Sequence, residues 1–242
     1  MNKYIVITGG SGGIGSEIVK FLIKENYNII NLDKTKNKIV ISENIINIKC
    51  DLSKSSKIFQ SFNKIRKITK NIHGLINCAG ITKPGETMKY KLYNWEKTLS
   101  INLTAPFIAS QLVAQIMVRN NIDGSIINVT SISADVAMPN SAAYNASKAG
   151  LKNLTKSLAL DFGKYSIRVN NLSPGYTKTA MTRKSWKNLR LRKIRTDKTM
   201  LKKWANPYDY NEAILFLLDK SKSGHMTGAD IIIDGGWLSK GM

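Results

Sequence analysis

Seven short apolar runs rich in β-branched residues recur along the chain, at positions 4–8, 29–32, 45–50, 75–77, 126–129, 169–172 and 231–233, and most intervals between them have helical spacing. Runs that are apolar at nearly every residue, rather than at every second one, belong to strands covered on both faces. Strand alternating with helix then predicts right-handed crossovers and an α/β fold, a doubly wound parallel sheet of about seven strands with helices on both faces. In such a sheet ligands sit beyond the carboxyl ends of the strands, so the loops there are where chemistry is expected. One interval breaks the pattern. Between Asp33 and Ile45 the chain (KTKNKIVISEN) is too short and irregular for a full crossover helix, and a turn or an abbreviated helix is expected.

At 242 residues the chain is long enough for one substantial core, and residues 1–242 are read as a single domain. Hydrophobic residues at 43% and charged residues at 22% are ordinary for a globular chain and speak against disorder, collagen-like repeats and a membrane protein. The charge is unusual: 37 Lys and Arg against 16 Asp and Glu, a formal +21. That excess would suit nucleic acid, a membrane surface or an acidic substrate. Nothing resembles a helix-turn-helix, a zinc module or an aromatic RNA platform, and many lysines are scattered singly along helix faces in a chain rich in Lys, Asn and Ile together. No nucleic-acid or membrane partner is therefore expected. Cys50 and Cys78 each end an apolar run, as small buried thiols do, which fits a reducing compartment. His73 and His225 are the only histidines and no Cys/His spacing suits a metal. The run after Lys3 passes straight into glycines, far short of a signal peptide or membrane span, so a cytoplasmic location is expected.

Two constellations carry chemistry. After the first strand comes Thr8-Gly9-Gly10-Ser11-Gly12-Gly13-Ile14-Gly15, followed by an amphipathic stretch with Ile18, Val19, Phe21 and Leu22 on one side. Glycines let backbone approach a pyrophosphate closely, and a helix N-terminus favours its negative charge. Asp33 ends the next strand 18 residues after Gly15, the position of a ribose-binding carboxylate. Such a carboxylate accepts from the adenosine ribose hydroxyls and repels the extra phosphate of NADP, which favours NAD. Lys34 beside it either steadies a 2′-phosphate or is simply solvated. The second constellation is Tyr144-Asn145-Ala146-Ser147-Lys148, where Tyr144 and Lys148 share one helix face. Ser131 precedes Tyr144 by thirteen residues, just after a strand, and Asn102 lies in an earlier helical stretch.

Taken in order, Thr8 to Gly15, Asp33, Asp51-Leu52, Asn77-Cys78-Ala79-Gly80, Asn102, Ser131, Tyr144 with Lys148, Pro174-Gly175 with Thr179, and Asp234-Gly235-Gly236 make the whole chain resemble the short-chain dehydrogenase/reductase family, with its Rossmann-like fold. Cys78 stands where that family usually has a second Asn. The resemblance implies an oxidoreductase that moves a hydride between NAD(H) and a secondary alcohol or its ketone. It implies Tyr144 as the proton-transfer group, Lys148 as the cation favouring its phenolate, Ser131 as the hydrogen-bond partner of the substrate oxygen, and Asn102 as the holder of a water linking Lys148 to solvent. For the cofactor it implies Gly9, Ser11, Gly13, Ile14 and Gly15 at the pyrophosphate, Asp51 and Leu52 at the adenine, and Asn77, Ala79 and Gly80 near the adenosine ribose. Pro174, Gly175, Thr177 and Thr179 would lie at the nicotinamide carboxamide. By analogy with the family a homo-oligomer, tetramer or dimer, is expected, with Asp234-Gly235-Gly236 closing the last strand against a neighbour.

The same resemblance makes the segment around 181–205 a flap over the substrate. Between positions 182 and 203 it carries Arg183, Lys184, Lys187, Arg190, Arg192, Lys193, Arg195, Lys198, Lys202 and Lys203 against Asp197 alone. Arginine forks suit carboxylate or phosphate, so an anionic substrate such as a sugar acid, a phosphorylated sugar or an acyl group on an acidic carrier is one expectation. The other is a helical flap with Trp186, Leu189, Leu191 and Ile194 turned inward and its charges merely solvated. Two further readings stand beside the NAD(H) enzyme: an NADPH-dependent reductase like those acting on 3-oxoacyl carrier proteins, and a non-catalytic dinucleotide sensor or scaffold on the same fold.

Overall fold

A computed structural model of the protein describes residues 3–35 and 42–240. Strands β1 (Tyr4–Thr8), β2 (Asn28–Asp33), β3 (Ile45–Lys49), β4 (Ile72–Asn77), β5 (Ser125–Val129), β6 (Arg168–Pro174) and β7 (Asp230–Ile233) form one sheet in the order β3-β2-β1-β4-β5-β6-β7. Every neighbouring pair is parallel. Chain direction across the sheet reverses between β1 and β4, and there a crevice opens at the carboxyl ends. The expected apolar runs lie in these strands except for Cys50, which falls one residue past β3, and two strands begin earlier than their runs. β4 begins three residues before Leu75, because Ile72 and Gly74 pair with Tyr4 and Ile5 although His73 and Gly74 interrupt the apolar run. β6 begins at Arg168, whose guanidinium donates to the Leu217 carbonyl (2.8 Å) and to Ser223 Oγ (3.0 Å) and is thereby accepted inside a strand. The expected turn or short helix between Asp33 and Ile45 falls largely on positions 36–41, outside the described residues.

Helices α1 (Gly13–Lys24), α2 (Ser55–Ile68), α3 (Leu92–Leu99), α4 (Ala105–Arg119) and α5 (Ala142–Gly163) precede β6, and α6 (Arg183–Lys187), α7 (Leu189–Asp197), α8 (Asn211–Leu218) and α9 (Lys220–Ser223) follow it. Alternation of side chains along each strand sorts the core into two layers. Ile5, Ile7, Ile29, Ile76 and Ile127 pack against Ile18, Val19 and Leu22 of α1 and Ile214 and Leu217 of α8. Val6, Ile30, Leu75, Ile126 and Val169 face the opposite layer, with Phe62 of α2, Val113 of α4 and Leu158 of α5. The stretch Leu92–Arg119 is long and apolar enough to cross a membrane. Its Ile108, Val113, Ile116 and Met117 are instead buried in this core.

Polar residues in the sheet interior form a ladder. Asn77, Asn128 and Asn171 are in register across β4, β5 and β6. Asn77 Nδ2 donates to Asn128 Oδ1 (2.8 Å), Asn128 Nδ2 to Thr155 Oγ1 (2.8 Å), and Thr155 Oγ1 to Asn171 Oδ1 (2.6 Å). Removing the middle rung leaves buried donors and acceptors without partners, which costs about 1–3 kcal/mol each. Asn128→Ala should therefore lower unfolding free energy by about 2–4 kcal/mol in urea titration. A loss under ~0.5 kcal/mol would mean that the ladder contributes no net stability.

Candidate active site

The turn from β1 into α1 is shaped by close approach. Gly9 has φ +74°, and a Cβ there would lie 2.7 Å from the Ala79 Cα, so the loops after β1 and β4 touch through backbone. Gly13 has φ +44° and faces Thr179, 3.4 Å from where its Cβ would be. Only glycine keeps both positions free of strain. Asp33, at the end of β2, accepts from the Ser11 amide (3.1 Å), the Thr35 amide (3.0 Å) and the Thr35 hydroxyl (3.2 Å). It thus ties the glycine turn to its own loop. Asp51 accepts from the Ser53 amide (3.1 Å) and hydroxyl (2.7 Å), and the hydroxyl bond holds its carboxyl below the usual range.

A cleft of about 450 Å³ runs along the carboxyl edge of the sheet. Asp33, Asp51 and Leu52 line one end, and Gly9, Ser11, Gly13, Ile14 and Gly15 line the middle together with Ala79 and Gly80. Ser131, Tyr144 and Lys148 line the other end, under Pro174, Gly175, Thr177 and Thr179. Lys34, Thr35, Cys50, Ile81, Ile101 and Met181 also line it, and no motif singled these out in that role.

Two expected residues are placed differently. Asn77 is 1% exposed and does not line the cleft; its amide belongs to the interior ladder and also reaches Ser110 Oγ (3.1 Å). Its effect on the cleft is to fix the end of β4. Asn102 is fully buried in a π-helical turn, Ser100–Thr104, between α3 and α4. Its side chain accepts from the Ile81 amide and donates to the Ile81 carbonyl, both at 2.9 Å, and donates to Ser147 Oγ (3.0 Å). It clamps the loop after β4 to α5. Thr177 lines the cleft, but its hydroxyl is engaged by the Gly175 carbonyl (3.0 Å) and the Tyr210 hydroxyl (2.6 Å).

Lys148 is 4% exposed, and its Nζ donates to the Val129 carbonyl (2.7 Å) and lies 5.8 Å from the Tyr144 ring centre. Burial pulls its pKa down from the ordinary lysine value to about 8. Burial also raises the Tyr144 phenol, against the opposing pull of a hydrogen bond with Ser131. Of these two effects on the phenol, desolvation is the larger. Cys78, which also lines the cleft, has its thiol pushed up to about 12 by burial, leaving little thiolate at neutral pH. Lys152, a further turn along α5 and unmarked by any motif, bridges Asp135 in the loop after Ser131 (2.5 Å) and Asp230 on β7 (2.7 Å).

Residues 3–190 match the family model for the short chain dehydrogenase. The chain belongs to the short-chain dehydrogenase family. It is 31% identical to a ribulose-forming D-arabinitol 2-dehydrogenase of Scheffersomyces stipitis, over 97% of this chain and 93% of that protein. It is 32% identical to an L-xylulose reductase of Caenorhabditis elegans, over 98% of this chain and 96% of that protein. Its structure superposes on 4-hydroxyisoleucine dehydrogenase complexed with NADH with a TM-score of 0.95, at 33% identity and covering 99% and 100% of the two chains. A mutant of that enzyme, solved with NADH and succinate, gives 0.94 at 32% identity, again covering 99% and 100%. Like its relatives, this dehydrogenase is an oxidoreductase that acts on CH–OH groups with a nicotinamide dinucleotide.

The lysine shift has a consequence for stability. With a folded pKa near 8 and an unfolded value of 10.5, the unfolded chain binds the extra proton between those pH values. The penalty for the buried ammonium is thus full below pH 8 and fades as pH rises towards 10.5. The unfolding free energy of the wild type relative to Lys148→Met should rise by up to about 3 kcal/mol from pH 7 to 10.5, read from urea melts of both proteins without cofactor. A pH-independent difference would show that the ammonium is not destabilised by folding.

Proposed function

We propose that this dehydrogenase prefers NAD(H) and interconverts a secondary alcohol and a ketone on a substrate bearing an anionic group. The observation that supports it best is one continuous cleft with Asp33 at one end and Ser131, Tyr144 and Lys148 at the other. The residues suit a dinucleotide: Gly12, at the start of α1, has open space where a Cβ would stand, Gly9 lets the turn meet the backbone of Ala79, and the N-terminus of α1 favours a pyrophosphate. Asp33 would meet a 2′-phosphate with like charge. Lys34 lines the same end and favours the competing NADPH-dependent reading, that of a reductase resembling those for 3-oxoacyl carrier proteins. Calorimetric titration should give tighter binding of NADH than of NADPH; the reverse order would favour the second reading.

Bound nicotinamide supplies or accepts the hydride. The side chains hold and move the proton. In reduction, the neutral Tyr144 hydroxyl donates to the carbonyl oxygen, and the Ser131 hydroxyl bonds to that same oxygen as charge gathers on it. The phenolate left behind faces the Lys148 ammonium. Asn102, through its clamp on Ile81, keeps the loop beside Lys148 in place. Because burial raises the Tyr144 phenol, its basic form is scarce at neutral pH. The kcat/KM of alcohol oxidation should therefore climb from pH 7 to 10, while ketone reduction stays flat until the phenol itself ionises; an oxidation rate that is flat over this range would remove Tyr144 as the base. Tyr144→Phe should lower kcat by about 10²- to 10⁴-fold with cofactor affinity unchanged.

The anionic substrate is supported by the ten cations of the flap and by the absence of any ion pair between them and a carboxylate among the described residues. Rising ionic strength should then reduce kcat/KM. A location in the cytoplasm accords with the free thiols of Cys50 and Cys78. Assembly into a homo-oligomer accords with exposed Phe107 on α4 and Leu160 on α5, the latter 83% exposed.

A further inference from the structure

The flap does not pack as an apolar-inward helix. Leu189, Leu191 and Ile194 are all exposed, and α7 buries no residue. What holds the segment is aromatic. Tyr176, directly after the Pro174-Gly175 turn of the cleft, lies 5.2 Å from Trp204 and 6.1 Å, edge-on, from Trp237; Trp186 of α6 lies 5.4 Å from Trp204. The Tyr176 hydroxyl reaches Met138 Sδ (3.5 Å), and the Met138 carbonyl accepts from Asn145, the neighbour of Tyr144. The aromatic cluster therefore lies between the proton-transfer loop and the flap.

The cluster is rich in donors and short of acceptors. The Arg195 guanidinium stands 4.9 Å above the Tyr176 ring and forms no ion pair or hydrogen bond among the described residues. Trp204, 3% exposed, and Trp237 each bury an indole Nε1 with no acceptor. Leaving a buried donor unpaired is costly, and a cation held against an aromatic ring is partly desolvated. The cost at Arg195 falls if an anion pairs with its guanidinium at the edge of the cluster. A planar two-oxygen group matches the guanidinium fork, and a single charge is cheaper to desolvate within aromatic walls than a phosphate dianion.

We propose that Arg195, poised over Tyr176, whose ring packs against Trp204 and Trp237, forms the subsite that grips a carboxylate of the substrate. This rests on the anionic-substrate reading above and assigns it to one residue rather than to the diffuse charge of the flap. Arg195 is a specificity-determining residue in this scheme, and the proton-transfer residues are unaffected by its loss. Arg192 stands over Trp186, on the far side of Trp204 from Tyr176, and exposed Arg190 contacts no ring; neither forms this subsite.

The test uses the enzyme saturated with NADH, titrated by calorimetry and by tryptophan fluorescence with succinate, with its neutral isostere succinamide, and with inorganic phosphate. D-gluconate and D-glucitol serve as a second matched pair. At least one carboxylate should bind about tenfold or more tightly than its neutral partner and alter the fluorescence. Arg195→Gln should abolish that preference, Arg195→Lys should weaken it by leaving the charge without the fork, and Arg190→Gln should leave it unchanged. NADH affinity, measured first for each variant, reports folding; should Arg195→Gln fail there, Arg195→Lys against Arg190→Gln decides. Equal binding of charged and neutral partners, equal loss in Arg190→Gln, or phosphate binding as tightly as the carboxylates would overturn the proposal. Failure of NADH to bind the wild type, or of any alcohol to be oxidised, would instead overturn the dehydrogenase reading itself.

Discussion

Lys148 places an ammonium, 4% exposed, against the Val129 carbonyl at the end of β5, and burial, which resists that charge, pulls its pKa down to about 8. The cost is tolerated because the same contact anchors α5 to the carboxyl edge of the sheet. Tyr144 lies one turn earlier on that helix, and Ser131 two residues beyond Val129, so one buried bond fixes three side chains relative to one another. Lys152 repeats the device a turn later. It joins α5 to Asp135 and to Asp230, while Asp230 accepts from Ser173 Oγ (2.5 Å) on β6. The loop that carries Ser131 is thereby tied down at both ends.

The dinucleotide end of the cleft is held by backbone contact and by the Asp33 carboxylate, which accepts from the Ser11 amide. Gly9 and Ala79 meet so closely that β1 and β4 are locked at their carboxyl ends, on either side of the crevice. Asn31 completes this wall: its Oδ1 accepts from the Gly10 amide and its Nδ2 donates to Ser11 Oγ. In the segment 182–203, Trp186 stacks on Trp204, and none of the cations pairs with a carboxylate among the described residues.

Much of the fold was legible in the chain because strands buried on both faces must be written as apolar runs. Where that requirement relaxes, reading failed by a few residues: Gly74 and Arg168 lie inside strands because a neighbouring strand or a helix end supplies what the side chain lacks. The order of the motifs was legible too, since each sits at the end of a strand, in the turn after it or on the helix that follows. Side-chain direction was not. Asn77 has the right position along the chain but turns into an Asn ladder made by β5 and β6, and Asn102 turns to a backbone 21 residues away. Neither partner adjoins it in sequence.

By itself the sequence determined the parallel sheet, the glycine turn, the Asp33 end and the Tyr144–Lys148 face, because all of these depend on local periodicity and on spacings within one strand, turn or helix. Only the tertiary structure decided which asparagines face the interior, that burial raises the Tyr144 phenol, and that Arg195 rather than another of ten cations stands over Tyr176. Those outcomes depend on desolvation and on contacts between segments far apart in the chain. Neither is encoded at any single position; both arise only when the sheet brings the loops together.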